Sequence, residues 1–98
     1  MIEISFPMDF NCQSLCQDII QNKLAFCIHE LPPIKSHFEW ESNIEISSEY
    51  LLHIKTISTK FNAIEKHIKQ YHPYDIPEII SFRIDDVNSD YLKWAMSI

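Results

Sequence analysis

Apolar and polar positions alternate from the start of the chain. Ile2, Ile4 and Phe6 stand against Glu3 and Ser5, the two-residue period of a strand with one buried face. Pro7 ends that strand, and Asp9 is placed to cap a following helix. From Phe10 to Leu24 the spacing becomes helical, with Cys12, Cys16, Ile19, Ile20 and Leu24 recurring on one side. The stretch AFCIHEL (25–31) returns to strand character. Pro32 and Pro33 cannot donate to a central ladder, so the strand must bulge or break there. It resumes in SHFEWE (36–41), with Phe38 and Trp40 on one face and His37, Glu39 and Glu41 on the other. SNIEIS (42–47) reads as the turn. EYLLHIKT (49–56) is the next strand, with Tyr50, Leu52 and Ile54 facing opposite to Leu51, His53 and Lys55. Both of its faces are largely apolar, which predicts a helix on one side and another body on the other. Ser58 or Thr59 is placed to cap a second helix whose buried stripe is Phe61, Ile64, Ile68 and Tyr71. EIISFRI (78–84) alternates Ile80, Phe82 and Ile84 against Ile79, Ser81 and Arg83. A last helix starts at Asn88 or Ser89 and carries Tyr91, Leu92, Trp94, Ala95 and Met96.

The order βαββαβ plus a C-terminal helix predicts an α+β, ferredoxin-like domain over residues 1–98, an antiparallel sheet with two helices on one face. The hairpin over residues 26–56 is longer than that fold requires, and its far half would project uncovered. Long bare edges invite pairing with another chain, and a closed cyclic oligomer removes them. The pattern therefore predicts homo-oligomerisation.

Composition narrows the possibilities. Eight basic against fourteen acidic residues give a net charge of −6, a field that repels phosphate backbones and argues against nucleic-acid binding. No apolar run approaches the ~18 residues of a bilayer span, and the N-terminus lacks signal-peptide character. Three cysteines, Cys12, Cys16 and Cys27, make an odd count without framework spacing, so a cytoplasmic, reducing location is expected. The chain has no glycine. That excludes phosphate-cradling loops and leaves turns to Pro, Asn, Asp and Ser.

Five segments in order resemble the CutA family, the divalent-cation tolerance proteins. KLAFC (23–27) is similar to the family's helix exit, with Cys27 at its cysteine. SHFEWES (36–42) matches at Ser36 and Trp40, with Phe38 for a tyrosine and Ser42 for a glycine. EYLLHIKT matches at Glu49, Lys55 and Thr56. HPYDIPEII (72–80) carries His72, Pro73, Tyr74, Pro77 and Glu78, and YLKW matches at Tyr91, Leu92 and Trp94. The resemblance implies a ferredoxin-like protomer in a tight homotrimer, a role in tolerance to divalent metals, especially copper, and no enzymatic activity. The trimer shape is similar to that of the PII signalling proteins, so small-ligand sensing is the alternative, and a structural scaffold for a partner protein a further one. The family's proposed copper ligands fall here on Ile4, Tyr71 and His72. Only His72 keeps ligand character, because an aliphatic side chain cannot ligate and a phenol is a poor copper ligand.

The residues themselves offer a short set of candidate sites. His72 is the first metal candidate, with helix capping beside Pro73 as its structural reading. His67, one helical turn before Tyr71, is a second possible imidazole. Cys12 and Cys16 share a helix face at a spacing that suits a soft metal, or else pack as small hydrophobes. Trp40, Tyr50, Tyr74, Tyr91 and Trp94 read mostly as subunit-interface and core aromatics. With Glu49 and Lys55 beside them they form a candidate crevice for an anionic ligand, or a salt-bridged interface. Glu78 is either a site carboxylate or a surface partner for a lysine. No nucleophile elbow or metalloprotease helix is present, and Asp85–Asp86 reads as a solvated turn.

Overall fold

The computed structural model describes residues 1–98. Four strands, β1 (Ile2–Pro7), β2 (Cys27–Trp40), β3 (Asn43–Lys55) and β4 (Ile79–Ser81), form one antiparallel sheet in the order β2-β3-β1-β4. Three helices complete the fold: α1 (Cys12–Gln21), α2 (Phe61–Lys69) and α3 (Ser89–Met96). The expected α+β class and element order are found.

One face of the sheet makes the core. The register sets Ile2 opposite Ile54, Ile4 opposite Leu52 and Phe6 opposite Tyr50. Cys12, Leu15 and Ile19 of α1 and Ile64 and Ile68 of α2 pack on that face. Burying one such aliphatic side chain contributes about 1.5–3 kcal/mol, so this one-sided cluster is the main source of stability. The intervening positions, Glu3, Ser5, His53 and Lys55, point to the opposite face, where Lys55 meets Tyr91 of α3.

Several boundaries differ from the sequence pattern. The cap of α1 is Asn11, whose Oδ1 accepts the Ser14 amide at 3.2 Å, and not Asp9. The helix is correspondingly shorter than 10–24, its buried stripe includes Leu15, and Ile20 is exposed. Its exit places Lys23 in left-handed backbone (φ 57°). The Leu24 amide donates to the Ile19 carbonyl and the Lys23 amide to that of Ile20, the paired bonds of a Schellman ending, where glycine is the usual residue. Before α2, Ser58–Lys60 forms a single 3-10 turn without a side-chain cap. Tyr71 is 53% exposed because α2 ends at Lys69 and the chain has already begun to leave the helix. α3 starts where expected, and Asn88 caps it, accepting the Tyr91 amide at 3.0 Å.

The hairpin bulges where the proline pair predicts. Leu31 pairs with Leu51 but Ile34 with Glu49, so β2 carries one extra residue across Pro32–Pro33. SNIEIS is mostly strand and not turn: the reversal is made by Glu41 and Ser42 alone, both left-handed (φ 49° and 68°), the geometry of a tight two-residue hairpin. Beyond the Pro7–Glu49 pair no third strand accompanies β2 and β3. Residues 34–48 therefore form a two-stranded ribbon that stretches the molecule to 46 × 26 × 23 Å. Phe38, Trp40, Ile44 and Ile46 on it are all exposed, Ile44 by 83%. β4 is shorter than EIISFRI, because its pairing with β1 ends in the Phe82–Met1 backbone bonds.

Candidate functional site

The segment after α2 turns a helix end into a polar network under the sheet. The Ile68 carbonyl accepts the amides of both Tyr71 and His72, and Pro73 prevents any further helical turn. His72 swings in against β1, its ring stacked on Phe6 with centroids 4.4 Å apart. Its Nε2–H donates to the Ser5 carbonyl at 2.8 Å, while Nδ1 accepts the Tyr74 amide at 3.1 Å. These two bonds fix a neutral tautomer and leave neither nitrogen free. Burial lowers the His72 pKa, opposed by the Ser5 bond and the charge of Glu49.

The network continues through Tyr74, whose hydroxyl donates to Glu49 Oε2 at 2.7 Å. Glu49 is only 4% exposed, so this bond offsets part of the desolvation of a buried carboxylate. Burial first, then the Glu49 bond and charge, push the Tyr74 phenol up to about 12. Glu78 lies nearby, its pKa raised by burial and then by the charges of Glu3 and Glu49, with the Ser5 side chain acting against the rise. His72, Tyr74, Glu49 and Glu78 thus gather around Ser5. The chemistry of the group is that of a satisfied structural network.

The other candidate residues lie elsewhere. Lys55 is six residues from Glu49 along β3, roughly 20 Å at strand rise, so the two do not share a pocket within one chain. Lys55 Nζ sits 5.8 Å from the Tyr91 ring centroid, and Tyr91, Trp94 and Phe26 cluster edge to face beside it. Trp40, paired with Asn43 at the hairpin tip, belongs to a third location. The crevice expected around Trp40, Lys55 and Tyr91 therefore does not assemble within one chain.

The copper donor set implied by the resemblance does not fit these residues. Ile4 is 0% exposed in the core, Tyr71 lies on the surface, and both His72 nitrogens are engaged. His67 is not paired with His72: its Nε2 is 3.1 Å from Asp18 Oδ2 on α1, out of line for a hydrogen bond. Cys12 and Cys16 have thiols pushed up to about 11, chiefly by burial and next by Glu30. Thiols at that value are protonated at neutral pH and behave as packing groups. Nowhere do three His, Cys, Asp or Glu side chains come together as a metal-holding group.

Two contacts were not anticipated from sequence. His53 Nε2 lies 3.0 Å from Glu3 Oε1, with His29 opposite His53 on the next strand. Together they form a polar row across the face opposite the core. The signal is the position of Glu3 within the first alternating stretch, which becomes meaningful only once the β1–β3 register is known.

Comparison with known proteins places this geometry. The family described as CutA1 divalent ion tolerance protein matches residues 1–97. The chain is 38% identical over 94 residues to a protein of Arabidopsis thaliana named "Protein CutA, chloroplastic", covering 96% of this chain and 52% of that one. It is 36% identical over 88 residues to the "Divalent-cation tolerance protein CutA" of Pectobacterium atrosepticum, covering 90% and 80% respectively. The chain spans less than two thirds of the length of the other eukaryotic relatives it matches. The crystal structure of CutA1 from Oryza sativa superposes with a TM-score of 0.92 at 34% identity, over 98% of this chain and 88% of that one.

Proposed function

Because the chain belongs to the CutA1 divalent ion tolerance family, we propose that it serves tolerance to divalent cations as a non-enzymatic homotrimer. The observation that carries this reading is the ribbon of residues 34–48. It combines strand edges that no third strand covers with exposed Phe38, Trp40, Ile44 and Ile46. Laying each ribbon along a neighbour's sheet closes these edges and covers the apolar side chains. The choice of three subunits rests on the resemblance.

The copper binding implied by that resemblance reaches this chain through His72 alone. To ligate, His72 must release either the Ser5 carbonyl or the Tyr74 amide and expose a stacked ring. The tolerance role therefore belongs to the assembled trimer and not to a copper site at this segment. A non-enzymatic role is supported by the satisfied polar network, and a cytoplasmic location by the three free thiols.

Growth of copper-sensitive cells expressing the chain tests the proposal. Wild type is expected to raise the tolerated copper concentration. A double Ile44→Asp, Ile46→Asp variant, with native mass checked in parallel, is expected to remain a folded monomer and lose the gain. No gain from wild type, or an equal gain from a monomeric variant, overturns the proposal. The alternative of small-ligand sensing is supported by a separate feature, the cleft beside α3.

A further inference from the structure

A cavity lies away from the His72 network, where the end of β3, the segment after β4 and α3 meet. It is an open cleft of ≈690 Å³ whose lining is mostly apolar, including Phe26, Phe61, Phe82, Val87 and Leu92. That volume falls within the range of small-molecule sites.

Its charge is opposite to that of the chain. The protein carries fourteen acidic against eight basic residues, yet no Asp or Glu lines the cleft, and three cationic groups do, the side chains of Lys55 and Arg83 and the Met1 ammonium. Asp85 and Asp86, between the lining residues Ile84 and Val87, are exposed and stay out of it. Neither Lys55 nor Arg83 is in an ion pair; the three pairs of the chain involve His53, His67 and Lys69. Lys55 is half-buried, with its ammonium 5.8 Å from the Tyr91 ring centroid. A half-buried ammonium without a carboxylate partner favours an anion brought from outside, and a guanidinium suits a planar carboxylate in particular.

We propose that this cleft binds an amphipathic carboxylate, its apolar body among Phe26, Phe61, Phe82 and Leu92 and its anionic head between Lys55 and Arg83. The site is independent of the divalent-cation role. Its two key cations come from distant parts of the sequence, which is why residue spacing paired Lys55 with Glu49 and passed over Arg83.

Calorimetric titration of the native assembly with decanoate, and with decanol as the uncharged match, tests the site. Decanoate is expected to bind once per chain and more tightly than decanol. Lys55→Met and Arg83→Gln are each expected to weaken decanoate by roughly tenfold or more and to leave decanol unchanged. Arg83 is exposed on a segment outside regular structure, so its variant keeps the test valid if Lys55→Met fails to fold. Equal affinity for the two probes, decanoate binding unaffected by Arg83→Gln, or no saturable heat from decanoate overturns the proposal.

Discussion

A proton has no place on His72 without breaking a bond. Nε2 already carries the hydrogen given to Ser5, and a hydrogen on Nδ1 would face the Tyr74 amide hydrogen. This agrees with the lowered pKa that burial imposes. The sign follows from linkage: above the ordinary value of 6.5 both folded and unfolded states are neutral. As pH falls below it the unfolded chain takes the proton first, so stability is lost between 6.5 and the lower folded value. Glu78, with its pKa raised, acts the other way, losing stability as pH rises above its ordinary 4.5, but it is largely exposed and its effect is screened. Urea unfolding should find His72→Ala destabilised by about 2–3 kcal/mol at pH 7.5, since it leaves the Ser5 carbonyl and Tyr74 amide unpaired. Wild type should then lose more stability than the variant between pH 7 and 5. Parallel pH profiles would remove His72 from the account.

At the scale of elements, the absence of glycine has a visible consequence. Lys23, at the exit of α1, and Glu41 and Ser42, in the hairpin turn, occupy left-handed backbone where a Cβ is unfavourable by about 1 kcal/mol. Lys23→Gly and Ser42→Gly are each predicted to stabilise the fold by about 0.5–1 kcal/mol, read as a higher urea midpoint at unchanged slope; a lower midpoint would show that the side chains contribute more than the strain. These positions also explain what was legible in the sequence. The first strand, the Pro32–Pro33 bulge and the start of α3 near Asn88 were readable because alternation, a missing donor and the onset of helical spacing are local signals. The hairpin turn was misplaced because Glu41 does not announce a left-handed conformation, and Asn43 to Ile46 then looked like loop although they alternate as strand. The start of α1 was placed at Asp9, two residues early, because Asp9 and Asn11 both carry a capping oxygen and only backbone geometry selects Asn11. The site was less legible still. That Glu49 meets Tyr74, and Lys55 meets Tyr91, depends on a register that places equal-face residues at opposite ends of one strand.

For the whole molecule, a one-sided core leaves much apolar surface outside it. Ile80 and Trp94 are each at least 40% exposed in a single chain, as are the ribbon residues, a distribution suited to burial between copies, whereas Phe82, Ile84 and Leu92 line the cleft beside α3. No helix is long and apolar enough to cross a membrane. The histidine segment is a fastening of α2 to β1, and under the proposed function the cation role lies with the assembly and not with a copper site at His72. Titration of copper(II) into the purified protein and into His72→Ala, with native mass recorded for both, tests this. The expected result is a trimer in both cases, with no stoichiometric copper site that His72→Ala removes. One copper per chain, bound tightly by wild type and lost in a still-trimeric His72→Ala, would contradict it.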